Sequence, residues 1–196
     1  MSYPRASPKV CDCGFIFGDV PASTAAINHC LTCPHNRGKT TTTRHNLILQ
    51  AMLDVMATYG IVSTLRCQDM HPHLIPDMHV ISLLKQAIID LTVVDDVHRG
   101  TSVFDAAADF KAEKYSDLAE ELRMRFFAVP VSTYGTLHQD AVDFIDHLAE
   151  KVPVHRRALF RNELRCAIQH ALLQGNSEIM DRYLQRQSEH AGDFLP

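Results

Sequence analysis

Pro76-Asp77-Met-His-Val-Ile-Ser-Leu83 and, three residues later, Ala87-Ile-Ile-Asp90-Leu-Thr-Val-Val94 form the stretch whose reading decides the fold. Both segments are apolar and rich in β-branched residues, and the break between them is short, so they read as adjacent strands paired like a hairpin. Asp77 opens the first strand and Asp90 sits inside the second. Such a pairing brings the two carboxylates together at one sheet edge. An acid within Ile-Ile-Asp-Leu-Thr-Val is costly to bury without a partner or a metal ion, and that cost singles out Asp90. One aspartate beside a strand is more often a turn residue or a solvated one. The set says more than its members, because Lys111-x2-Lys114-Tyr115 follows one predicted helix later. Two carboxylates and an amine suit metal-dependent phosphodiester hydrolysis. The carboxylates hold a divalent cation against the phosphate, and the amine orients the water or neutralises developing charge.

Working outward, residues 40–43 are four threonines able to cap a helix. Behind them Leu47, Ile48, Ala51, Met52, Val55 and Met56 recur at helical spacing, and Gly60 ends the helix. Residues 61–67 read as a strand, and a His/Pro loop covers 71–76. After a polar loop at 95–101, a long helix over 102–124 carries Phe104, Ala108, Lys111, Tyr115, Leu118 and Leu122 along one stripe. Lysine on an apolar stripe is unusual unless its amine meets a carboxylate or reaches water. Lys111 and Tyr115 lie one turn apart, so both reach the same sheet edge; Lys114 is the alternative amine. Residues 125–133 form a further strand, and 137–150, 156–174 and 177–187 read as three closing helices. The order is helix, three strands, helix, strand, then helices: an α/β fold.

The chain has 196 residues, enough for one domain with a small appendage. Its net charge of −4 gives no overall attraction to nucleic acid, so DNA contact requires a local basic patch. Arg157, Arg161 and Arg165 recur every four residues beside His155 and Arg156, and neither Arg161 nor Arg165 has an acid four residues away. They predict a basic ridge suited to backbone phosphates. No apolar run is long enough to span a bilayer, so no membrane partner is expected, and the first residues do not read as a secretory signal. Six cysteines then point to metal or free thiols rather than disulfides, and four of them fall within residues 11–33, which favours metal. Cys11-x-Cys13-Gly14 supplies one pair of zinc ligands. The second pair is His29-x3-Cys33 or Cys30-x2-Cys33; spacing alone does not choose. A turn-rich link, 18–23, lies between the pairs. A closed four-ligand zinc site folds a segment and does not catalyse. We therefore expect a zinc knuckle over 1–40 and a second domain over 41–196.

Cys11-x-Cys13-Gly14, His29-x3-Cys33-Pro34, Arg44-His45-Asn46, Pro76-Asp77, Asp90-Leu-Thr-Val93, Lys111-x2-Lys114-Tyr115, Val129-Pro-Val131 and Ala171-Leu-Leu-Gln-Gly-Asn176 occur in that order. Together they resemble the carboxy-terminal zinc knuckle and restriction-like endonuclease of early-branching, site-specific non-LTR retrotransposons, over nearly the whole chain. The resemblance implies a PD-(D/E)xK nuclease core with carboxy-terminal helices. It implies Asp77, Asp90 and Lys111 as the catalytic set, with Tyr115 assisting and Mg²⁺ or Mn²⁺ held by Asp77 and Asp90. It further implies that DNA is nicked to leave a 3′ hydroxyl for reverse transcription. It favours His29 over Cys30, giving Cys11, Cys13, His29 and Cys33 as zinc ligands. The partners implied are DNA and the reverse transcriptase domain or element RNA of a longer polyprotein, and the place of action is the nucleus, reached from the cytoplasm. Two departures stand out. No reverse transcriptase is present, and the first helix lacks the glutamate common in restriction-like folds. Arg44 and His45 open that helix instead and are assigned to nucleic-acid contact. The competing expectation is a non-catalytic, zinc-containing nucleic-acid-binding module on a nuclease-like scaffold.

Overall fold

The structure is a computed structural model that describes residues 11, 13–14, 24–33, 39–65, 67, 69–71, 73–82, 85–95 and 102–192. The turn-rich link at 18–23, Pro34 and most of the loop at 95–101 lie outside the described residues. By compactness the chain divides into Thr43–Gly175 and a unit that joins Met1–Thr42 to Asn176–Pro196. The carboxy-terminal residues group with the amino-terminal unit.

The elements in order are α1 Thr24–Thr32, α2 Lys39–Thr58, β1 Ser63–Leu65, β2 Met78–Val80, β3 Ala87–Val94, α3 Ser102–Glu121, β4 Arg125–Ser132, α4 Gln139–Ala149 and α5 Arg157–Gly192. The fold is mixed α/β. One four-stranded sheet runs β1-β2-β3-β4, with β1/β2 and β2/β3 antiparallel and β3/β4 parallel. Parallel neighbours need a crossover, and α3 fills it. β3 is buried along most of its length, which is why its sequence is an apolar run rather than an alternation. Ile89 and Leu91 pack into the larger core with Ile48, Met52 and Met56 of α2, Phe144 and Leu148 of α4, and Phe160 and Leu164 of α5. Ile88 packs instead with Tyr115 and Leu118 of α3. Side chains alternate along a strand, so Asp90 shares the α3 side with Ile88. Pro130 is tolerated because β4 is an edge strand; its carbonyl accepts the His138 N–H at 3.1 Å rather than serving a neighbouring strand.

The structure departs from the sequence expectations in four ways. The nine-residue α1 was not anticipated. β1 and β2 are three residues each: the Val62 carbonyl accepts from both Ile81 (2.9 Å) and Ser82 (3.4 Å), so the ladder fans out there. α3 stops at Glu121, where Met124 N–H bonds Ala119 O and Arg123 N–H bonds Glu120 O, with Arg123 at φ 53°. That is a Schellman cap with arginine in glycine's usual place. Finally, the two helices expected over 156–174 and 177–187 are one, α5. Gly175 falls in the expected gap between those helices, but it serves a close approach: a Cβ there would lie 2.8 Å from Arg44 Cα and 2.7 Å from Arg44 Cβ. Among the described residues no helix is long and apolar enough to cross a membrane.

Candidate active site and metal centre

Asp77 immediately precedes β2 and is tied to β3 on either side of Asp90. Its N–H bonds Ile89 O at 2.9 Å, and its carboxylate Oδ2 accepts the Leu91 N–H at 2.7 Å. Asp90 is only 4% exposed and forms an ion pair with Lys111 Nζ of α3. Tyr115, one turn further along, is buried; its hydroxyl donates to Ile75 O at 3.0 Å and receives Lys114 Nζ at 3.1 Å. Burial, with a hydrogen bond to Asp90 and the charges of Asp90 and Asp77, raises the Tyr115 pKa, so its hydroxyl keeps its proton at neutral pH. The structure thus gathers Asp77, Asp90, Lys111 and Tyr115 in one place, and Lys114 reaches Tyr115 from the exposed side.

His45 of α2 adds a fifth group. Its Nε2 lies 3.0 Å from Asp77 Oδ2 and 3.2 Å from Leu91 O. Burial alone would depress the His45 pKa, but the hydrogen bond to Asp77 and its charge, with Asn46 and Leu91 O, lift it above the ordinary value. Sequence assigned His45 to the nucleic acid; the fold seats it against Asp77. Arg44, expected beside it at the DNA, is 6% exposed, and burial lowers its pKa to about 10. Its Cα, Cβ and Cγ lie closest to where a Cβ on Gly175 would stand, and the residue is buried rather than turned to solvent.

Two arginines of the expected ridge have partners within the protein. Arg157 donates from Nε to Val152 O and from a terminal nitrogen to Glu150 O, both at 3.0 Å, closing the end of α4. Arg161 Nε meets Asp146 Oδ1 of α4 at 2.5 Å. Arg165 is half-buried. The partner acid lies on another helix, beyond any four-residue spacing along α5. Arg156 lies over the Tyr59 ring, 4.6 Å from its centroid. A cleft of about 460 Å³ along β4 and α4 is rimmed by Asp140, Asp143, Asp146 and Glu150, a sign that repels phosphate, and holds none of the four gathered residues.

In the other unit, Cys11, Cys13, His29 and Cys33 place four ligand atoms within 4.8 Å of one another. Cys11 Sγ and Cys33 Sγ are 3.7 Å apart, and Cys13 Sγ and His29 Nε2 are 3.4 Å apart. Tetrahedral zinc with bonds of roughly 2.0–2.3 Å has ligand–ligand edges of roughly 3.4–3.8 Å, so the group can hold a metal such as zinc. Local structure explains the placement. Gly14 at φ +88° turns the chain behind Cys13, with its N–H on Cys11 O at 2.7 Å. The helix α1 carries His29, and Cys33 follows one turn later with its N–H on His29 O at 2.7 Å. Cys30, the alternative ligand, stands outside the group. Its thiol is pushed up to about 11 by burial and by the charge of Cys11, which keeps it protonated. Tyr183 and Met180 of α5 pack on this cluster, a contact not anticipated from the sequence. The signal was there: the stripe Ile179, Met180, Tyr183 continues past Gly175.

The chain matches no family model and no curated protein.

Proposed function

We propose that this protein is a Mg²⁺- or Mn²⁺-dependent DNA endonuclease of the PD-(D/E)xK type, nicking target DNA for retrotransposon integration. The observation that carries the reading is that Asp77, bonded to β3 beside Asp90, and Asp90 itself both bear on Tyr115, with the Lys111 amine on Asp90. The order of helix, three strands, helix and strand around them is in keeping with that core. The donors suit a hard cation: two carboxylates and, within reach of the same His45 nitrogen as Asp77, the Leu91 carbonyl. A divalent ion held by Asp77 and Asp90 would supply charge neutralisation at the scissile phosphate and a more acidic water. Lys111 Nζ then contacts the water or the phosphate, and Tyr115, anchored by its hydroxyl on Ile75 O, stands one turn away. The Cys11, Cys13, His29 and Cys33 site has no open position and serves to fold its segment.

The test is nicking of supercoiled plasmid with and without Mg²⁺ or Mn²⁺, beside Asp90→Ala. Cation-dependent nicking lost in the variant supports the reading; nicking that survives Asp90→Ala removes it. One observation favours the second reading, a non-catalytic zinc-containing nucleic-acid-binding module. Lys111 already pairs with Asp90 and His45 with Asp77, so both carboxylates have partners without a cation. On that reading the wild-type protein binds DNA and leaves it intact in either cation.

A further inference from the structure

The four ligand atoms come from residues 11–33, yet part of their cover comes from the other end of the chain. Residues 176–196 belong to the same compact unit as 1–42. Within it Tyr183 of α5 is 6% exposed and packs with Cys11, Cys30 and Cys33. Its ring stands edge-on to His29, with centroids 6.2 Å apart and planes at 83°. Its hydroxyl is hydrogen-bonded to Cys11.

Three thiolates and one neutral imidazole around a dication leave a net negative charge on sulfur in apolar surroundings. A buried tyrosine hydroxyl needs a hydrogen-bond partner, and a thiolate needs a donor. Hydrogen bonds from outside the ligand set fix ligand orientation and tune the metal. Tyr183 meets two of the four ligands, one through its hydroxyl and one through its ring.

We infer that Tyr183 is a positioning residue of the metal centre, donating to Cys11 Sγ and bracing His29, so that a metal bound only by amino-terminal residues also fixes residues 177–186 of α5. This rests on the reading that the cluster binds metal. The metal centre is then a clasp between the two ends of the chain, and the knuckle includes a carboxy-terminal helix segment.

The experiment uses the full chain loaded with Zn²⁺ or Co²⁺. Stripping the metal with a chelator should remove hydrogen-exchange protection from 177–186 together with 24–33. Tyr183→Phe keeps the ring and loses only the hydroxyl. It should move the thiolate-to-cobalt charge-transfer band to longer wavelength, because the sulfur lone pair loses its donor, and weaken metal affinity roughly 10-fold. Tyr183→Ala, which also removes the brace on His29, should weaken it further, toward roughly 100-fold. An unshifted band with unchanged affinity in Tyr183→Phe, or protection of 177–186 that survives stripping, overturns the inference while leaving the metal reading intact. A wild-type chain that takes up neither Zn²⁺ nor Co²⁺ overturns both.

Discussion

Asp77 and Asp90 are held by a sheet whose strands and covering helices fold through their own burial, with Ile48, Met52, Met78, Ile89, Phe144 and Leu164 all fully enclosed. Cys11, Cys13, His29 and Cys33 are held by one turn and a nine-residue helix, and the apolar cluster around them is small. Each fully buried aliphatic side chain contributes about 1.5–3 kcal/mol, so the first site can be built in advance of any ion. The second site lacks that reserve and depends on ligand bonds. The lesson is that a metal would play opposite parts in the two places: at the carboxylates it would arrive at a finished scaffold, and at the thiolates it would make the scaffold.

The largest consequence concerns metal removal. Structural zinc in small modules supplies about 10–16 kcal/mol of apparent folding free energy. Chelation, or Cys13→Ser, should therefore abolish protection in 24–33 while the sheet unit keeps its cooperative melt. Hydrogen exchange read beside circular dichroism checks this; simultaneous loss of both units would erase the contrast between the sites.

Next comes Lys111→Ala. Loss of a transition-state contact of about 3–4 kcal/mol should lower the nicking rate by roughly 10²–10³-fold. The same change strips Asp90 of its cation in a buried setting, so stability should fall by up to about 3 kcal/mol in the absence of divalent ions. Added Mn²⁺ should restore much of that stability. If Lys114→Ala costs more activity than Lys111→Ala, the amine that reaches Tyr115 is the working one.

A smaller effect is expected from Gly175→Ala. Removing glycine from a helix interior should add up to about 1 kcal/mol, but the new Cβ meets Arg44 Cα at 2.8 Å, and overpacking costs about 1–3 kcal/mol. The net should be a lower melting temperature for the sheet unit, and a raised one would show that α2 and α5 separate freely.

The smallest is at the arginines. Arg161 and Asp146 are 37% and 49% exposed, so their pair is worth at most about 1 kcal/mol. Because Arg157 and Arg161 are engaged within the protein, replacing Arg157, Arg161 and Arg165 together by Ala should leave the salt slope of DNA binding nearly unchanged. A slope flatter by about 3 would return all three to the phosphates.

What could be read in advance follows from where the information lies. β3 was legible to the residue, because burial on both faces writes a continuous run, Ala87 to Val94, into the sequence. The oddity of an acid inside that run was equally legible. β1 and β2 were overestimated because a strand ends where its partner diverges, and that divergence at Val62 is not written locally. The partner of Arg161 was illegible for the same reason, since Asp146 is fifteen residues away in sequence. Gly175 carried a true signal with two meanings, a helix end and a close approach; only the neighbouring Arg44 backbone distinguishes them. α1 left no signature because its nine residues are split between burial and ligation.

The central claim is that Asp77 and Asp90 share one divalent cation. It is tested most directly by titrating zinc-loaded protein with Mn²⁺, by calorimetry or electron paramagnetic resonance, in wild type and Asp90→Ala. The account predicts one Mn²⁺ site per chain in the wild type and none in the variant, with the zinc retained in both. A wild-type chain that binds no Mn²⁺, or a variant that binds it equally well, would contradict the claim.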